Sequence, residues 1–214
     1  MIFTNKNPSK QYLQLIQDYQ EIHTKGTKNK SAQDTYNGLS TINFAEIIKK
    51  IINKNQCKTL LDYGSGKGDR YFNKSFLNEK EYPPLSDFWN INPTFFDPGV
   101  PFPKPNFNKS FDITISIDVL EHIPQQDLGW VIKEIFEFSN NIIFINVACY
   151  DAYAKLPNGK NAHVSVFNPW WWHGFISSIA CNYEKKVFVC CSYKEKNQNK
   201  IFNFSINDDF KNYI

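Results

Sequence analysis

Residues 59–72 read TLLDYGSGKGDRYF, and this stretch decides the fold. Three glycines, Gly64, Gly66 and Gly68, alternate directly behind a short apolar run that contains one acid, Asp62, although the whole chain of 214 residues holds only nine glycines. An apolar run followed by a glycine-rich turn reads as the end of a buried strand. In a parallel α/β sheet, ligands bind beyond the carboxyl ends of the strands, and the turn after the first strand is where backbone and ligand meet. Gly64 and Gly66 sit at that turn, where a Cβ would either forbid a positive φ or collide with a ligand. Gly68 is placed to let a following helix pack closely. By themselves the glycines also fit a tight turn with no ligand.

The flanking chain supports an α/β reading. Residues 9–26 place Tyr12, Leu15, Ile16, Tyr19 and Ile22 at helical spacing, with Gly26 as a stop. A polar stretch, residues 27–38, reads as an exposed loop, and INFAEIIKKIINK (residues 42–54) as a second amphipathic helix. After the glycines come FFD (95–97), FDITISIDVL (111–120) and NIIFINVAC (141–149). The near-continuous apolar character of the last two fits strands buried on both faces. Between them Leu128, Val131, Ile132, Ile135 and Phe136 make one helical face, which completes a strand–helix–strand unit. KKVFVCCSY (185–193) and KIFNFSI (200–206) read as an antiparallel hairpin at one sheet edge. Residues 1–56 are expected to form a helical cap on a single α/β unit spanning 57–214.

Composition narrows the function classes. With 24 basic and 21 acidic residues the net charge is +3, and no long basic run occurs, so nothing favours nucleic acid or an anionic membrane. Five cysteines, with no C-x-x-C pair and no histidine at zinc spacing, read as free thiols in a reducing compartment. The N-terminus lacks the apolar core of a signal peptide, and no apolar run nears the roughly 18 residues of a membrane span. The expected location is the cytoplasm.

The glycine spacing discriminates among ligands. It is G-x-G-x-G, with Asp69 where a dinucleotide fingerprint would place its third glycine. A P-loop is excluded, because Gly66-Lys67 lacks both the upstream glycine and the following hydroxyl residue.

TLLDYGSGKG resembles the first motif of the class I S-adenosylmethionine-dependent methyltransferases, an apolar strand ending in an acid and then G-x-G-x-G. SFDITISIDVLEHIP (110–124) is similar to the fourth-strand segment of their small-molecule members, and VPFPKPNFNKSFD (100–112) to the Pro-Phe segment that leads into it. The resemblance covers about residues 57–150. It implies a Rossmann-like three-layer sandwich with a mostly parallel sheet of the seven-stranded type, an antiparallel C-terminal hairpin and an N-terminal helical lid. It also implies a cofactor, S-adenosyl-L-methionine, met by Asp62, Gly64, Ser65, Gly66, Gly68, Asp97, Pro98, Asp118 and Val119. Within that set Asp62 orients the turn or meets the amino group, and Asp97 accepts the ribose hydroxyls.

Asp97 follows Asp62 by 35 residues, against roughly 20 in a nucleotide-binding unit, and the excess coincides with NEKEYPPLSDFWN (78–90), read as an inserted loop. Asp87 is the substitute if Asp97 fails. The chain after Asp97 leaves room for only a brief third strand.

Methyl transfer from a sulfonium needs an aligned acceptor and, for an alcohol or phenol, a base. His122 and His163 are the candidate general bases. Each also has a bland reading, as an orienting residue beside Glu121 and as part of a solvated loop. Among Trp170, Trp171 and Trp172 at least one belongs in the core, and another is a candidate wall for the acceptor. His23 reads as a surface residue. No ligand spacing marks a metal site. The partner implied is a small-molecule acceptor, methylated at oxygen; a nucleic-acid or protein methyltransferase and a non-methylating protein that binds or cleaves the cofactor are the alternatives. Acceptor identity and oligomeric state stay open.

Overall fold

Alternating apolar side chains build a sheet that is covered on both faces. The computed structural model describes residues 2–28, 30–102, 109–196 and 198–213. Helices α1 (Lys10–Lys25), α2 (Leu39–Ile42) and α3 (Ala45–Asn55) lead into β1 (Leu60–Tyr63). A small hairpin, β2 (Ser75–Leu77) and β3 (Lys80–Tyr82), then precedes α4 (Leu85–Trp89) and β4 (Pro93–Phe96). The second half runs β5 (Phe111–Ile117), α5 (Gln125–Phe138), β6 (Ser139–Ala148), α6 (Pro169–Ala180), β7 (Lys186–Glu195) and β8 (Gln198–Ile206).

The main sheet has the order β4-β1-β5-β6-β7-β8. Every pairing is parallel except β7 with β8, which form the edge hairpin expected from the sequence. Period two along each strand sorts the side chains. Leu61, Ile143, Ile145 and Val187 pack with the apolar stripe of α5 and with α6, whereas Leu60, Ile113, Phe144 and Phe188 pack with α3 and α4. The result is a three-layer, Rossmann-like arrangement. Ile48, Ile51 and Ile52 of α3 are buried in the same core as β1 and β5, so that core crosses the boundary drawn at residue 56.

Chain order creates the opening for a ligand. From β1 the chain moves outward to β4, then crosses back to β5 on the other side of β1. The two connections diverge at the carboxyl ends of β1 and β5, which is the switch point where open α/β sheets bind ligands.

Several expectations need correction. The main sheet contains six strands, not seven, among the described residues, and none lies between Asp97 and Phe111 there. Residues 103–108 of the Pro-Phe segment and Asn197 of the C-terminal turn lie outside the described residues. The helix expected after Gly68 is a single 3-10 turn, Asp69–Tyr71, followed by the β2-β3 hairpin. The second helix is broken at Asn43 and Phe44 into α2 and α3. The supposed loop 78–90 is structured: it holds β3 and α4, and Trp89, 2% exposed, donates its indole N–H to the Ala45 carbonyl at 2.9 Å. An apolar anchor of that size turns the insertion into part of the core.

Candidate functional site

The glycine turn is shaped by its neighbours inside the protein. Gly64 has φ 82° and its N–H donates to the Phe96 carbonyl at 2.6 Å; a Cβ there would lie 2.3 Å from Val119 Cγ2. Gly66 has φ 56°, and a Cβ would lie 2.3 Å from the Tyr36 carbonyl oxygen. The glycines thus let three segments close on one another: the ends of β1 and β5, and the loop carrying Tyr36. Asp97, immediately after β4, joins the group. Its Oδ2 accepts the Gly66 N–H at 2.8 Å and its Oδ1 the Gly99 N–H at 2.7 Å. Asp118, at the end of β5, adopts φ 54°, a left-handed conformation uncommon outside glycine.

These segments surround a cavity of about 970 Å³, counting its open mouth. Its floor is Asp62 and Gly64–Gly66, and its sides include Asp97–Gly99, Asp118, Val119 and His122. Helix α1 lines it with Tyr12, Leu15, Tyr19 and His23. The helix is tied down at its start: Ser9 caps it by accepting the Tyr12 N–H at 3.0 Å, and donates its own N–H to Asp127 at 3.0 Å. Tyr19 Oη meets His122 Nδ1 at 2.7 Å and donates to the Ala162 carbonyl at 2.8 Å, joining helix, strand end and loop.

The electrostatics of this space are one-sided. Three carboxylates line it, Asp62, Asp97 and Asp118, and among the described residues no Lys or Arg does. Burial pushes Asp62 up to about 7, against the pull of the Tyr71 hydroxyl that donates to its Oδ2 at 2.7 Å; the Asp97 charge adds to the rise. Burial also raises Asp97, opposed by the Gly99 and Gly66 N–H groups, and Asp118, opposed by a hydrogen bond from Ser40 and by His163. His23 is pushed down to about 4 by burial and by Lys67. Two buried polar atoms on the cavity wall, His23 Nδ1 and the Tyr36 hydroxyl, lack a hydrogen-bond partner. Buried polar atoms are normally paired, so these are open positions for a ligand.

No protein-family model, curated protein or solved structure matches the chain. The reading of the cavity therefore rests on its own chemistry.

Of the residues expected from the sequence, Asp62, Gly64, Ser65, Gly66, Asp97, Pro98, Asp118, Val119 and His122 all line the cavity. Gly68 and His163 do not: Gly68 is packed against the Phe95 ring, and His163 lies behind His122 with ring centroids 4.7 Å apart. Asp87, the substitute acid, sits in α4 away from the cavity. Trp172 is fully buried in the core, as one of the three tryptophans had to be, but neither of the others reaches the cavity. Trp171 stacks on Phe167 and Phe175, and Trp170 is exposed. His23, read as a surface residue, instead lines the wall.

Sequence reasoning missed Tyr36, Ser40 and Thr41, which reach the cavity from the stretch read as an exposed loop and from α2. The only signal for them was one aromatic residue in a polar stretch.

His122 belongs to the 3-10 turn Leu120–His122 that follows β5. Burial, and then His163, push its imidazole down to about 3. It is accordingly neutral at physiological pH. With the Tyr19 proton on the Ala162 carbonyl, the His122 Nδ1 proton points to Tyr19, and Nε2 carries the lone pair. Glu121 is fully buried, its Oε1 accepting the Ala148 N–H at 2.9 Å. Glu121, His122 and His163 each place a potential ligand atom within 4.8 Å of the others, a grouping that sequence spacing did not reveal.

Proposed function

We propose that the cavity binds S-adenosyl-L-methionine and that the protein transfers its methyl group to a small-molecule acceptor. The observation that carries this reading is the charge pattern at the switch point: three carboxylates and, among the described residues, no Lys or Arg face the space beside the glycine turn. Such a wall repels phosphates and attracts a ligand whose charges are a sulfonium and an ammonium. Nucleotide phosphates, the usual occupants of glycine turns, are disfavoured by the same geometry.

The residues fit the group. Asp97, fixed by two backbone N–H groups, keeps free lone pairs on both oxygens for a pair of ribose hydroxyls. Asp62 and Asp118 bring negative charge toward the ammonium and sulfonium. The unpaired Tyr36 hydroxyl is a donor for the carboxylate end. When bound, S-adenosyl-L-methionine supplies an activated methyl group for in-line displacement.

The chain's own work is to align the acceptor, exclude water and take a proton. Helix α1 acts as the lid, held at its start by Ser9 on Asp127 and at its middle by Tyr19 on His122. Two bases face the interior: His122, neutral throughout the physiological range, and Asp118, made a stronger base by burial.

Titration calorimetry with S-adenosyl-L-methionine and S-adenosylhomocysteine tests this reading. Micromolar-range binding is expected, weakened at least tenfold by Asp97→Asn and lost in Gly66→Val. A folded wild type that gives no binding, or variants that bind as tightly as wild type, would refute it.

A further inference from the structure

We propose that Glu121, His122 and His163 form a binding site for a divalent cation of the zinc class. This assignment does not depend on the cofactor reading. The three residues come from two segments, the turn after β5 and the loop between β6 and α6. Backbone hydrogen bonds clamp those segments together: the Glu121 carbonyl accepts the N–H of Val164 at 2.8 Å and of Ser165 at 2.9 Å. That clamp brings His163 against the 121–122 pair.

The first observation is the grouping itself, three potential ligand atoms all within 4.8 Å of one another. Ligand atoms around a tetrahedral zinc are about 3.3 Å apart, so closure by side-chain rotation of about 1 Å completes the set. The second is an unpaired atom. Glu121 is fully buried and its Oε1 is occupied by the Ala148 N–H, but its Oε2 has no partner. Buried carboxylate oxygens are normally satisfied, and a cation would satisfy this one.

The histidines are arranged as metal ligands are. His163 Nδ1 faces the Tyr150 carbonyl and His122 Nδ1 the Ala162 carbonyl and Tyr19, so each ring keeps the lone pair on Nε2. Such a carbonyl behind each imidazole sets the tautomer and the ring direction in known metal sites. Asp118 adds negative charge close to both Glu121 and His163.

Two imidazoles and one carboxylate are a donor set suited to Zn²⁺ and leave a fourth position open. Mg²⁺ and Ca²⁺ prefer all-oxygen sets. His122 also lines the cavity, so with a cation bound its lone pair is committed to the metal and Asp118 is the base that faces the proposed acceptor. The metal-free alternative is a protonated Glu121 whose Oε2–H donates to an imidazole nitrogen.

The test uses the full chain, stripped with a chelator and titrated with Zn²⁺ against a chromophoric zinc indicator, with no nucleoside present. Co²⁺ substitution gives an independent spectrum of the ligand set. Wild type should bind one equivalent of Zn²⁺ and show the absorption of tetrahedral Co²⁺. Both Glu121→Gln, which keeps an acceptor for the Ala148 N–H, and His163→Asn should weaken zinc binding at least 100-fold. No stoichiometric binding by folded wild type would overturn the assignment. If Glu121→Gln does not fold, His163→Asn decides, since an unchanged zinc affinity in that variant means the cysteines or other groups hold the ion. Nucleoside binding is measured separately, so either reading can fail alone.

Discussion

Asp62→Asn tests whether the carboxylate under the glycine turn is kept for a ligand at the expense of stability. Asp62 is 3% exposed, and its only hydrogen-bond donor among the described side chains is the Tyr71 hydroxyl at 2.7 Å. Burial moves its midpoint from 3.8 to about 7. A folded-state value above the unfolded one means that the folded chain holds the proton more tightly. The corresponding stability is fully present below pH 3.8 and is lost as pH rises through about 7. At about 1.4 kcal/mol per pH unit the loss reaches roughly 4 kcal/mol by pH 8.

Asparagine keeps an acceptor for Tyr71 and carries no charge at any pH. The variant should match wild type near pH 4 and exceed it by up to about 4 kcal/mol at pH 8. Urea unfolding followed by circular dichroism reads this as a midpoint shift of about 2 M, for a slope of about 2 kcal/mol/M. The same variant should bind S-adenosyl-L-methionine at least tenfold more weakly. A stability difference that does not change with pH, or a variant less stable than wild type at pH 8, would refute the reasoning.

The affinity for S-adenosyl-L-methionine should rise about tenfold between pH 6 and 7.5, as Asp62 ionises and before the ligand's own amino group loses its proton; calorimetry at fixed ionic strength checks this, and a flat profile contradicts it. Trp89→Ala removes a fully packed ring and its hydrogen bond to Ala45, and should lower stability by about 3–5 kcal/mol in chemical denaturation; an effect below about 1 kcal/mol would mean that the 78–90 segment is the loose loop its sequence resembles.

Legibility in the sequence followed the range of the interactions. Amphipathic spacing placed α1 and α5 within a residue or two, and the apolar runs placed β1, β5 and β6, because these signals repeat within a few residues. The hairpin β2-β3 and helix α4 were not visible. Their segments are too short for a period to show, and Trp89 gains its meaning only from the carbonyl of Ala45, 44 positions earlier. Asp97 was found despite the long gap because it closes an apolar strand. Tyr36 was missed because a single aromatic residue in a polar stretch has no pattern.

The sequence by itself determined the alternation of strands and helices, the glycine turn after β1 and the acids that stand at strand ends. Each of these is written in local spacing and backbone freedom. Only the tertiary structure decided that the spaces left by Gly64 and Gly66 are taken by Val119 and Tyr36, that α1 lines the cavity, and that His163 stands behind His122 beside a buried Glu121. Those contacts join residues from 30 positions apart, Gly66 with Tyr36, to 143, Tyr19 with the carbonyl of Ala162, and are set by how the crossovers pack on the sheet. A local pattern specifies an element; it carries no information on which distant side chain will fill the space beside it.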